Sequence, residues 1–122
     1  MASSLISEAR LQSDCFLHAH NEYPQIRGLL FMVNNEVPKL PYETKKQWMQ
    51  RVSRLRAMGL IPGVCDLLLI YPLNCFEFKL PGETQSPEQQ SFQAKCKLAG
   101  IPYFIVETFE QWQELIQKIL KA

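Results

Sequence analysis

Residues 62–90, PGVCDLLLIYPLNCFEFKLPGETQSPEQQ, hold the feature that most restricts the fold. Two short apolar runs, VCDLLLI and CFEFKL, are separated only by YPLN. A connection this short leaves no room for a crossover, so the runs read as two antiparallel strands of a hairpin. Both carry charge where a buried strand should be apolar: Asp66 in the first, Glu77 and Lys79 in the second. Pairing Ile70 with Cys75 across the turn sets Asp66 opposite Lys79 and residue 68 opposite Glu77. All three ionisable side chains then leave one side of the sheet, because side chains alternate with period two. A one-residue slip would send Asp66 to the other side.

Two readings of this cluster follow. Asp66 and Lys79 can form a cross-strand ion pair, which leaves Glu77 as a second carboxylate crowding it. Alternatively, a cation joins the two carboxylates and relieves their repulsion. In the assumed register Glu77 lies diagonal to Asp66, with Cβ atoms about 7 Å apart. Both side chains can then reach one hard cation, since magnesium–oxygen distances are about 2.0–2.1 Å. The Gly63 turn before Asp66 would let a ligand approach the backbone closely.

The rest of the chain reads as alternating helices and strands. Ser7 caps a helix that carries Leu11, Cys15 and Phe16 and ends near Tyr23, before Pro24. GLLFMV, residues 28–33, is a buried-strand run, and NNEVPKLP breaks the pattern as a loop. After Pro41 a helical stretch carries Trp48, Val52, Leu55 and Met58 and stops at Gly59. SPEQ is a helix start with Ser86 as N-cap, Pro87 at the first position and Gln89 completing a capping box; this helix ends near Gly100. PYFIV is a further strand, and TFEQ repeats the start signal with Thr108 and Gln111. It precedes a one-faced amphipathic helix of Trp112, Leu115, Ile116, Ile119 and Leu120. The order α-β-α-β-β-α-β-α predicts an α/β fold, one mixed central β-sheet flanked by helices.

A chain of 122 residues, 47% of them hydrophobic, fits a single domain with its own core. Net charge is +1, but Lys45, Lys46, Arg51, Arg54 and Arg56 fall in one stretch without an acid, leaving the remainder net acidic. Such a stripe is either a solvated helix face or a surface for a polyanion. Arg51 and Arg54, three apart, can share a face. Cys15, Cys65, Cys75 and Cys96 show neither C-x-x-C spacing nor clustered histidines, which speaks against structural zinc and against a disulfide framework. His18 and His20 do not face each other on a helix and read as surface residues. MASSLISEAR reaches Glu8 and Arg10 too early for a signal peptide, and no apolar stretch approaches the roughly 20 residues that span a bilayer. The expectation is a cytoplasmic protein without a membrane partner.

An acidic residue at the start of one strand followed by E-x-K on the next resembles the PD-(D/E)XK nuclease superfamily. More narrowly, the chain resembles the virus-type replication-repair nuclease (VRR-NUC) domain. The matching pieces are SEARLQ with Glu8, FMVNNE, RLRAMGLIPGVCD leading to Asp66, FEFK with Glu77 and Lys79, and SPEQ with Gln89. The likeness, extended by the C-terminal helix, covers almost the whole chain as one domain and implies a restriction-endonuclease-like core. One position departs from the family pattern: Cys65 stands where proline usually precedes the metal-binding aspartate.

The resemblance implies that Asp66, Glu77 and the Phe78 backbone carbonyl hold Mg²⁺ or Mn²⁺. It makes Lys79 an electrostatic partner of the phosphate, Glu8 a helper carboxylate and Gln89 a further catalytic residue. The strand-ending asparagine of the family aligns best with Asn34. Glu8 also reads as a first-turn acid favoured by the helix dipole, and Gln89 as a capping side chain. Lys45, Lys46, Arg51, Arg54 and Arg56 become DNA-binding candidates. Implied with them is a homodimeric, metal-dependent endonuclease for branched DNA such as Holliday junctions. Its alternatives are a nuclease for flap or linear DNA and a DNA-binding module with an inactive site.

Overall fold

The structure is a computed structural model describing residues 6–121. Part of the N-terminal stretch behind the signal-peptide expectation, residues 1–5, lies outside the described residues. In chain order the elements are α1 (Glu8–Glu22), a 3-10 turn (Pro24–Ile26), β1 (Leu30–Met32), α2 (Lys45–Ala57), β2 (Leu67–Ile70), β3 (Leu73–Phe78), α3 (Pro87–Ala99), β4 (Tyr103–Val106) and α4 (Phe109–Lys121). The fold is thus mixed α/β. Its four-stranded sheet has the order β1-β2-β3-β4, antiparallel up to β3 and parallel between β3 and β4.

The hairpin is tighter than expected. Leu67 pairs with Phe76, Leu68 with Cys75, Leu69 with Asn74 and Ile70 with Leu73, leaving only Tyr71 and Pro72, joined by a cis bond, in the turn. The expected pairing of Ile70 with Cys75 is therefore wrong by two residues: Leu73 and Asn74 have ladder partners and belong to β3. An even shift keeps each ladder residue on its face, while Asp66 falls outside the ladder and bonds through its N–H to the Phe76 carbonyl.

One face of the sheet carries Leu30, Leu67, Leu69, Phe76, Phe78 and Val106, all buried. Against them pack Leu11, Cys15 and Ala19 of α1 and Trp112 and Ile116 of α4. Trp112 sits edge-on to Phe76, with ring centroids 4.9 Å apart. The other face carries Leu68, Cys75 and Tyr103, covered by Phe92 and Cys96 of α3 and closed at one side by Cys65. All four cysteines are buried free thiols. His18, expected at the surface, packs edge-on against Tyr23 and Phe109.

Helix ends follow from local chemistry. Ser7 accepts from the Arg10 N–H, and complete capping boxes join Thr44 to Gln47 and Ser86 to Gln89. Gly100 closes α3 in the left-handed conformation at φ 75°. α2 is the exception in packing: none of its residues is buried. It rests instead on the 37–43 segment, where the Trp48 indole N–H donates to the Val37 carbonyl (2.7 Å). None of the helices in the described residues is long and apolar enough to cross a membrane.

Candidate active site

Asp66 lies one residue before β2, where the ladder ends. Its N–H donates to the Phe76 carbonyl (2.9 Å), and its Oδ2 accepts from the Phe78 N–H (2.7 Å). Asp66 therefore lies along β3 from Phe76 to Phe78, bracketing Glu77. Its Oδ1 accepts from the Asn35 amide (3.1 Å), which also donates to the Val64 carbonyl (2.9 Å). Burial pushes the Asp66 carboxyl up; the Phe78 and Asn35 hydrogen bonds and Lys79 oppose that shift, and the Glu77 charge adds to it.

Glu77 is 1% exposed, in the middle of the sheet. Its Oε1 accepts from the Tyr103 hydroxyl and from the Gln85 amide (3.1 Å). Its Oε2 is buried with no hydrogen-bond partner among the described residues. A bare carboxylate oxygen out of water is costly unless a cation or proton joins it. Burial, followed by the hydrogen bond to Glu77, drives the Tyr103 phenol upward, so it stays a donor.

Lys79 follows Glu77 by two residues, and its N–H continues the parallel ladder to the Val106 carbonyl (3.1 Å). Its ammonium favours the charged forms of Glu8, Asp66 and Glu83, so these groups form one electrostatic cluster. Glu8, at the first position of α1, is raised to about 7. Burial is the largest cause, and a carboxyl–carboxylate hydrogen bond to Glu83 comes next. Glu83 is correspondingly lowered by that bond and by the Leu80 N–H.

Among the described residues no three His, Cys, Asp or Glu side chains are arranged to enclose a metal ion on their own. Two carboxylates are nevertheless a suitable donor set for Mg²⁺, which keeps several waters and binds through one or two carboxylates plus substrate phosphates. The unpartnered Glu77 Oε2 is the feature that fits such an ion.

Compared with family models, curated proteins and solved structures, the chain has no match.

The structure brings Glu8, Asp66, Glu77 and Lys79 together and treats the other candidates differently. Gln89 commits its carbonyl to the Ser86 N–H (2.9 Å); the glutamine that touches Glu77 is Gln85. Asn35, not Asn34, holds Asp66. Gly63 does permit a close approach, but of the chain to itself. A Cβ there would lie 2.4 Å from the Glu88 carbonyl carbon and 2.7 Å from the Gln89 nitrogen. The turn before Asp66 is thus pressed onto the start of α3. In α2, Lys45, Lys46, Arg54 and Arg56 are exposed. Arg51 is engaged within the chain, donating to both Glu43 oxygens (2.7 Å each) and to the Pro38 carbonyl (2.9 Å). That guanidinium, with the Leu40 N–H behind it, holds Glu43 down at about 2.

Tyr103, Gln85 and Asn35 were missed from the sequence. No signal in the sequence marks them, since PYFIV reads only as a short strand.

Proposed function

We propose that the chain is a divalent-metal-dependent DNA endonuclease with a restriction-endonuclease-like, VRR-NUC-type core, acting on branched DNA. The observation that carries this reading is Asp66 bracketing Glu77, whose buried Oε2 lacks a partner while Lys79 stands two residues on. Asp66, Glu77 and the Phe78 carbonyl would hold Mg²⁺ or Mn²⁺. Such an ion, when bound, draws electron density from a scissile phosphate and lowers the pKa of water.

The protein's own groups supply the remaining chemistry. The Asn35 amide and the Phe78 N–H fix the Asp66 carboxylate, and Tyr103 with Gln85 fixes that of Glu77. Lys79 offsets charge growing on the phosphate. Glu8, hydrogen-bonded to Glu83, adds a carboxyl that can accept a proton near neutral pH. Lys45, Lys46, Arg54 and Arg56 contact phosphates without reading sequence. A two-fold dimer would present two such sites for paired incision of a symmetric junction.

Incubation with Mg²⁺ and labelled four-way, flap and linear DNA tests the reading. Paired symmetric nicks at the junction are expected. Cutting confined to flap or linear DNA transfers the enzyme to those substrates, and junction binding without product would leave a DNA-binding module. That last reading has one observation in its favour, Cys65 ahead of Asp66.

A further inference from the structure

A groove of about 440 Å³ opens between α3 and β4, beside Glu77. That is a volume typical of small-ligand sites. Gln90, Gln93 and Lys97, spaced i, i+3 and i+7, present one face of α3 to it together with Ala94, and Gln85, Ile101 and Tyr103 complete the wall. Two of these residues also hold the candidate ligand: Tyr103 and Gln85 both donate to Glu77 Oε1. The groove therefore begins one side chain away from the site of phosphodiester hydrolysis.

Its chemistry is specific. Three primary amides supply donors and acceptors in pairs, and no carboxylate lines the wall. Gln85 is committed to Glu77, and Gln90 reaches only the Gln85 carbonyl, at 3.4 Å. The Gln93 amide has no hydrogen-bond partner among the described residues, and Lys97 has no ion-pair partner among them. Ile101 and the Tyr103 ring give an apolar floor. Amides that pair with base edges, an ammonium for a phosphate and a flat apolar surface are together what a nucleotide requires.

We propose that this groove seats one nucleotide of the DNA strand flanking the scissile phosphate, with Gln93 and Gln90 on the base edge and Lys97 on the adjoining phosphate. The proposal rests on the nuclease reading for its position along the strand, and on the groove alone for its ligand. It makes cleavage dependent on the base at one position beside the cut, in an enzyme otherwise selective for DNA shape.

The test uses the full chain, with junctions carrying each of the four bases at the positions flanking the cut. Wild-type enzyme should prefer one base class at a single position. Gln93→Ala should flatten that preference by about tenfold, the scale of one bidentate base contact, and Lys97→Ala should raise KM. In parallel, the side-chain amide signals of Gln90 and Gln93 are followed by NMR during titration with each deoxynucleoside monophosphate, with inorganic phosphate as control. Shifts with a nucleotide but not with phosphate support the site. A flanking-base profile identical in wild type and Gln93→Ala would overturn the proposal while leaving the nuclease intact. Absence of cutting by wild type would remove the nuclease reading instead, and the titration then decides the groove: no shift with any nucleotide ends it.

Discussion

At Glu77 one oxygen is held by Tyr103 and Gln85 and the other is buried with no partner, in a residue 1% exposed. Glu77→Gln keeps the shape and removes the charge. Without metal the variant should gain about 1 kcal/mol of stability, because an uncompensated buried charge costs more than an amide. Cleavage should fall at least about a hundredfold, because the amide no longer supplies an anionic donor to a cation. Thermal unfolding in chelator and a junction-cutting assay read the two effects; a loss of stability would count against the bare-charge account. Glu8 carries a second prediction. Its carboxyl is raised to about 7, so the folded protein binds this proton more tightly than the unfolded chain does. The stability that this gives the metal-free protein is full below the ordinary value of 4.5 and lost as pH rises to about 7. Cutting should accordingly rise with pH through about 7, and the Mg²⁺-induced increase in Tm should be larger at pH 8 than at pH 5.

At the level of elements, the turn before β2 is held by contact rather than by its own sequence. Gly63 has φ +85° and touches the backbone of Glu88 and Gln89. Gly63→Ala should cost about 2 kcal/mol or more in thermal unfolding, and it should lower cutting more than it lowers junction binding, since Asp66 is three residues away. The helix starts were legible in the sequence: Ser86 with Gln89 and Thr108 with Gln111 cap as their spacing implies, and Trp112 and Ile116 are the buried heart of the α4 face. The hairpin register was not. Leu73 and Asn74 beside Pro72 look like turn residues, and only a partner strand shows that they are paired. Tyr103 was beyond reach for a related reason, because the parallel pairing of Cys75 with it joins segments that α3 separates in sequence. The Arg51–Glu43 pair was hidden for the same cause, since the path of the 37–43 segment is not written in its periodicity. Arg51→Ala and Glu43→Gln should each lower the hydrogen-exchange protection of α2, Arg51→Ala the more because it also loses the Pro38 bond, and the double variant should do little more than Arg51→Ala alone.

For the molecule as a whole, the expected DNA surface is α2 and the expected chemistry lies at the carboxylate end of the β2–β3 hairpin. Replacing Lys45, Lys46, Arg54 and Arg56 by alanine should weaken binding to all DNA shapes alike. The slope of log K against log salt should shrink by about 0.9 for each phosphate that the protein no longer neutralises. An unchanged slope would move the DNA surface elsewhere. Chelation of divalent ions should abolish cutting and spare binding, because the cations of α2 do not depend on a metal. α2 has no interred side chain and is fastened to the loop before it by Trp48 and Arg51. Arg56 shares a groove with Asn35, the partner of Asp66, whereas Lys45 and Lys46 line a separate surface; changes at those two lysines therefore leave the sheet and its two carboxylates undisturbed. Descendants of this chain can redraw those charges to suit another partner while inheriting the carboxylate cluster intact.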